Sequence, residues 1–161
     1  MTEKVDKALH WIMSILENEG ISYQIVGGMA AYIHGGKRPI ADIDLYIRQS
    51  DADTLLNRVE PYISKPLKRY VEGAWNLEYF QLIYQQQKIE VGLSPGAKIW
   101  DKTSQQWIDQ TIVFSDSIIG FYHNLEVPVM PKGTLIKYKS ILGREVDLID
   151  IAEISDCSKD N

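Results

Sequence analysis

The segment "ADIDLYIR" (41–48) constrains this chain more than any other. Ile43, Leu45 and Ile47 alternate with Asp42, Asp44 and Tyr46, the period-two pattern of a strand with one apolar face. Residues two apart on a strand share a face, so both aspartates leave the same side with Cα atoms about 6.5–7 Å apart. Each carboxylate raises the cost of ionising the other, and aspartate is depleted in strands. Such a pair needs a reason, and a divalent cation supplies one. Magnesium prefers carboxylate oxygens and completes its octahedron with water and substrate phosphates.

The surrounding chain reads as alternating helices and strands. Val5, Ala8, Leu9, Ile12, Ile15 and Leu16 recur at helical spacing, and Gly20 stops the run. "ISYQIV" (21–26) reads as a buried strand that ends at Gly27-Gly28, with a helix starting at those glycines. Ser50 and Asp53 predict a capping box for a helix through Val59. Residues 77–93 predict a hairpin around "QQQK", residues 110–114 and 126–130 predict strands, and two helices follow from Pro131 and Arg144. This order implies an α/β (α+β) domain over 1–154, a mixed sheet covered by helices, with a disordered tail over 155–161.

Two further features join the aspartate pair. Gly27-Gly28, between a strand and a helix, permits close backbone approach, and a helix start presents unpaired N–H groups to a phosphate. The P-loop pattern is not met: Arg38 follows Lys37 where Ser or Thr is required. In "KIEVGL", Ile89, Val91 and Leu93 share one face while Glu90 and Gly92 share the other, with Gly92 expected to leave room for a ligand. If this strand neighbours the first, three carboxylates converge. On the helix after Pro131, Lys139 falls at the edge of the apolar face and Lys137 across from it.

Together "VGGMAAYIHGGKRPIADIDLYI" and "KSILGREVDLIDI" resemble the nucleotidyltransferases of the polymerase-β-like superfamily over roughly residues 5–154. Their signature is a Gly-Gly or Gly-Ser at a helix start, Asp-x-Asp some ten to fifteen residues on, and a later third carboxylate. The size and order are similar to the lincosamide nucleotidyltransferases, and the motifs also to nucleotidyltransferase-type toxins. The third carboxylate is commonly Asp in the family; Glu90 is one methylene longer. The resemblance implies a nucleotidyltransferase fold and transfer of a nucleoside monophosphate from an NTP to an acceptor hydroxyl. Asp42, Asp44 and Glu90 would be catalytic and would hold one or two Mg²⁺ ions. Gly27, Gly28, Arg38, Lys139 and Arg144 would bind the triphosphate; Arg144 and Asp147 match the family pattern and would contact the triphosphate or order the site, the alternative being a plain salt bridge between them. The alternative is a non-catalytic nucleotide-binding or toxin–antitoxin-type module of the same fold.

Other classes are disfavoured. A formal net charge of −5 argues against a dedicated nucleic-acid binder, which favours a small-molecule acceptor over tRNA or a protein. No run reaches the apolar length of a membrane span, and no secretory signal is evident, so a cytoplasmic location is expected. One cysteine, Cys157, builds neither a disulfide framework nor a zinc site. The cluster Lys65, Lys68 and Arg69 reads as a solvated face, and His34 and His123 as structural residues in apolar surroundings. Trp75, Trp100, Trp107, Tyr70 and Tyr79 are candidates for either core or acceptor pocket. A homodimer would be one way for so short a chain to complete that pocket.

Overall fold

A computed structural model describes residues 2–157. Helix α1 (Thr2–Asn18) buries the six apolar residues its spacing marks, and Gly20 beyond it adopts φ +67°. Strand β1 (Tyr23–Val26) leads directly into α2 (Gly27–Ile33), and β2 (Ile43–Arg48) follows. Helix α3 (Ala52–Val59) is preceded by a 3₁₀ turn at Gln49–Asp51. No side chain caps it, so the expected Ser50 box is absent.

Strand β3 (Ile63–Glu72) was not apparent from the sequence. Pro66 argues against a central strand, yet β3 pairs only with β4 (Trp75–Tyr84), and Pro66 falls at a register shift between Lys65 and Lys68. Proline is tolerated at such edges and bulges because no ladder donor is lost there. The expected hairpin joins β4 to β5 (Gln87–Ser94) through Gln85 and Gln86, both at positive φ.

A second short hairpin, β6 (Lys98–Asp101) and β7 (Gln106–Asp109), also escaped the sequence reading. Residues 110–114, expected to form a strand, instead leave the sheet. Gln110 N–H bonds to the Ala97 carbonyl at 2.8 Å and Ile112 N–H to Ser94 Oγ at 3.1 Å, so these donors are met outside a ladder. Strands β8 (Ile118–Tyr122) and β9 (Leu125–Val129) form the next hairpin; the sequence marked only the second. Helices α4 (Lys132–Leu142) and α5 (Glu145–Cys157) complete the chain. Helix α5 passes the expected boundary at 154, and residues 158–161 of the expected tail lie outside the described residues.

The nine strands make one mixed sheet in the order β7-β6-β4-β5-β2-β1-β9-β8, with β3 on β4. At its centre β2 runs parallel to β5 and antiparallel to β1. Ile43, Leu45 and Ile47 stand opposite Ile89, Val91 and Leu93, and all six are buried. This apolar layer fixes the register, because a one-residue slip would turn every one of these side chains to the other face. The opposite face of the same strands carries the polar residues, near α2, α4 and α5, which contact one another. Among the described residues no helix is long and apolar enough to cross a membrane.

Candidate active site

The register that buries the apolar layer places Asp44 directly opposite Glu90. Asp42 precedes β2 by one residue, and the loop holding it is tied to β5 by buried Gln87, whose Nε2 donates to the Ala41 carbonyl at 2.9 Å. Asp44 and Glu90 both respond to the charges around them. Burial, then the charges of Glu90 and Asp42, push the Asp44 carboxyl up to about 7. Burial and Asp42 also raise the Glu90 carboxyl above its ordinary value. Opposing them, Lys139 and Arg144 act to lower Asp44.

Gly27 lies against Asp44. Its φ is +65°, and a Cβ there would stand 2.6 Å from Asp44 Oδ2. The glycine therefore makes room for the carboxylate as well as for the turn into α2. At Gly28 a Cβ would meet nothing closer than Arg38 Nη2 at 3.8 Å, so packing does not demand glycine at that position. Gly92, expected to leave space for a ligand, lines the cavity, and the space nearest its backbone is taken by Tyr46. A Cβ there would lie 2.8 Å from the ring of Tyr46, its partner in the β2–β5 register, whose hydroxyl donates to Gln110 Oε1 at 2.9 Å.

Three cations line the same space. Lys139 is 4% exposed, inward as its helical position indicates, and Lys137 is exposed. Lys139 Nζ lies 2.9 Å from Asp150 Oδ2 and 3.5 Å from Asp147 Oδ1. Arg38 makes a two-pronged bond to Asp150, 2.8 Å at each prong, and Arg144 a similar one to Asp147 at 2.7 and 3.1 Å. The Arg144–Asp147 pairing is thus a direct ion pair, and Asp147 also accepts the Arg144 backbone N–H at the start of α5. Asp150 was missed as a site residue; the signal for it was the i, i+3 spacing from Asp147, which puts both acids on one helix face.

All eight residues singled out in the sequence, Asp42, Asp44, Glu90, Gly27, Gly28, Arg38, Lys139 and Arg144, line a single cavity of about 430 Å³. Tyr70, Trp75 and Tyr79 of β3 and β4 form another part of its wall. Trp100 and Trp107 pack against each other across β6 and β7 instead. The Lys65, Lys68 and Arg69 cluster lies on β3, where Lys65 Nζ bonds the Tyr79 hydroxyl at 2.6 Å. His34 is partly buried, with Nε2 2.8 Å from the Met130 carbonyl, but His123 is exposed and pairs with Asp6 at 3.0 Å rather than sitting in apolar surroundings.

Among the described residues no three His, Cys, Asp or Glu side chains form a ready-made metal cluster. The acids nevertheless fit a hard divalent cation that takes one or two carboxylates and draws its remaining ligands from water and phosphate. Their donors are all oxygen, and the raised Asp44 carboxyl records burial first and then repulsion from Glu90 and Asp42, which a cation would relieve.

No protein-family model matches the sequence, and no curated protein matches it. Solved structures do. A Thermotoga maritima protein assigned as a nucleotidyltransferase superimposes with a TM-score of 0.74 at 17% identity, covering 92% of this chain and 90% of its own. The lincosamide antibiotic adenylyltransferase LnuA, solved with lincomycin bound, gives 0.63 at 15% identity over 94% and 96%. ANT(2'')-Ia, solved in complex with adenylyl-2''-tobramycin, gives 0.60 at 13% identity over 100% and 91%. At such identities the likeness establishes the fold: this chain has the nucleotidyltransferase fold.

Proposed function

We propose that the protein is a metal-dependent nucleotidyltransferase that moves a nucleoside monophosphate from an NTP to a hydroxyl of a small molecule. The observation that carries this reading is the convergence of Asp44, Glu90 and Asp42 with Arg38, Lys139 and Arg144 on one cavity. A nucleoside triphosphate has the complementary charge layout, since its phosphates need cations on one side and a carboxylate-bound metal on the other.

Asp42 and Asp44, with Glu90, would hold Mg²⁺, which when bound neutralises charge on the phosphates and the leaving group. Lys139, Arg38 and Arg144 would neutralise the remaining phosphate oxygens, and the bare backbone at Gly27 and Gly28 lets the phosphates approach closely. Glu90 would take the proton of the acceptor hydroxyl as its oxygen bonds to the α-phosphorus. The bond from that phosphorus to the β-phosphate oxygen breaks in the same displacement, and pyrophosphate leaves. The raised carboxyl of Glu90 suits this role, because a general base works best with a pKa near the working pH.

A small-molecule acceptor is supported by the aromatic residues Tyr70, Trp75 and Tyr79 in the cavity wall, where Lys65 and Lys68 lie over the Tyr70 ring and Arg144 over that of Trp75. One fold neighbour is a lincosamide antibiotic adenylyltransferase solved with lincomycin, and another is solved with adenylyl-2''-tobramycin. The test is pyrophosphate release from ATP, GTP, CTP and UTP with Mg²⁺ across a panel of hydroxyl-bearing small molecules, lincosamides and aminoglycosides included. Release that depends on one acceptor and disappears in Asp42→Ala and Asp44→Ala supports the reading. Nucleotide binding without release across a broad panel would leave a binding module of the same fold.

A further inference from the structure

The two acids beneath the cations have no part in the reaction proposed above. Asp150 is 1% exposed, and its carboxylate accepts from Arg38 Nε and Nη2 at 2.8 Å each and from Lys139 Nζ at 2.9 Å. One turn earlier on α5, fully buried Asp147 binds Arg144 and approaches Lys139 at 3.5 Å. The result is a row of alternating charge, Arg38–Asp150–Lys139–Asp147–Arg144. Its members come from the segment between α2 and β2, from α4, and from α5 and the residue before it. Arg38 sits in a stretch without regular structure, so its direction is set by what it bonds.

We propose that Asp150 is a positioning residue for the triphosphate: it aims Arg38 and Lys139 into the cavity that Asp44 and Glu90 also line. The two-pronged bond fixes the plane of the Arg38 guanidinium and uses two of its five N–H donors, leaving three for an anion. Lys139 spends part of its three-donor capacity on the acids and keeps the remainder. The row carries three positive and two negative charges, so it stays attractive to phosphate while the cations, held between acids, do not drive one another apart. This inference rests on the nucleotidyltransferase reading for its ligand.

The sign of one substitution separates positioning from simple charge. Asp150→Asn removes a negative charge beside the cations, so if Asp150 were only a counter-charge an anion would bind more tightly. Loss of positioning makes it bind less tightly. The probe is inorganic tripolyphosphate, titrated calorimetrically into the metal-free protein with chelator present. The expected result is binding about tenfold weaker in Asp150→Asn, on the order of one charge-assisted hydrogen bond. Arg38→Lys, at a partly exposed position, keeps the charge and loses the fork; with folding checked by circular dichroism, it is expected to weaken binding nearly as much as Arg38→Gln. Equal or tighter binding in Asp150→Asn, full binding in Arg38→Lys, or no binding by the wild type would overturn the proposal. Binding with the expected pattern but no nucleotide transfer to any acceptor would instead remove the enzymatic reading and leave the positioning role standing.

Discussion

Asp44 and Glu90 face each other across adjacent parallel strands, although 46 residues separate them in the chain. The pairing follows from the buried aliphatic residues on the reverse side of β2 and β5, so core packing sets the geometry of the acids. Glu90→Gln keeps that packing and removes the base. It is expected to lower kcat about 100-fold or more, a larger loss than in the affinity for Mg²⁺-nucleotide, a split read from steady-state kinetics and equilibrium binding.

Asp44→Asn is expected to stabilise the metal-free protein at pH 8. The folded carboxyl is raised to about 7 from an ordinary 3.8, so the protonated form is the one the fold favours. That contribution is complete below the unfolded value and is lost as pH rises through about 7. A three-unit shift sets a ceiling of about 4 kcal/mol; relaxation around the charge reduces the gain to about 1–2 kcal/mol, or ~3–6 °C in Tm. Thermal unfolding in chelator checks it: the gain at pH 8 should shrink toward pH 4, while nucleotidyl transfer is lost at every pH.

Gly27→Ala is expected to cost about 2 kcal/mol or more, since it combines a left-handed backbone with a Cβ 2.6 Å from Asp44 Oδ2. Gly28→Ala, whose Cβ would make only ordinary contact, is expected to unfold close to the wild-type temperature. Comparing the two by thermal unfolding distinguishes the packing role of the first glycine from the open backbone of the second.

The local part of this architecture was legible in the sequence because it obeys short-range periodicity. Asp42 and Asp44 declare their shared face through alternation alone, and Lys139 declares its inward side through helical spacing. Glu90 could be placed on a strand, but its register with Asp44 depends on a pairing between distant segments. The Gln85-Gln86 turn was legible from the strand patterns on either side of it, although no glycine marks it. Strand β3 hid behind Pro66 and its basic residues because an edge position relaxes both constraints. Residues 110–114 look like a strand by composition, yet their donors are met by Ala97 and Ser94 outside the ladder. Asp150 lies within the segment that carries the resemblance, but its partner Arg38 is 112 residues away, so local spacing could not reveal the pairing.

His34 gives an acid-side prediction with the opposite slope. Burial lowers its pKa from the ordinary 6.5, and the Met130 carbonyl can only accept, so Nε2 carries the proton in the neutral ring. The unfolded chain therefore binds a proton at a pH where the folded one does not, and the stability His34 contributes is lost as pH falls below 6.5. His34→Gln retains an N–H for Met130 without the titration. Urea unfolding at pH 7.5 and 5.5 is expected to show a smaller loss of stability in His34→Gln than in the wild type.

The central claim is that carboxylates on β2 and β5 and cations beside α4 and α5 form one magnesium-nucleotide pocket. Calorimetric titration of a non-hydrolysable NTP with and without Mg²⁺ tests it most directly, because no acceptor is needed. Binding by the wild type that requires Mg²⁺ and weakens at least tenfold in Asp44→Asn is the expected result. Binding indifferent to both the metal and Asp44, or no binding of any NTP, would contradict it.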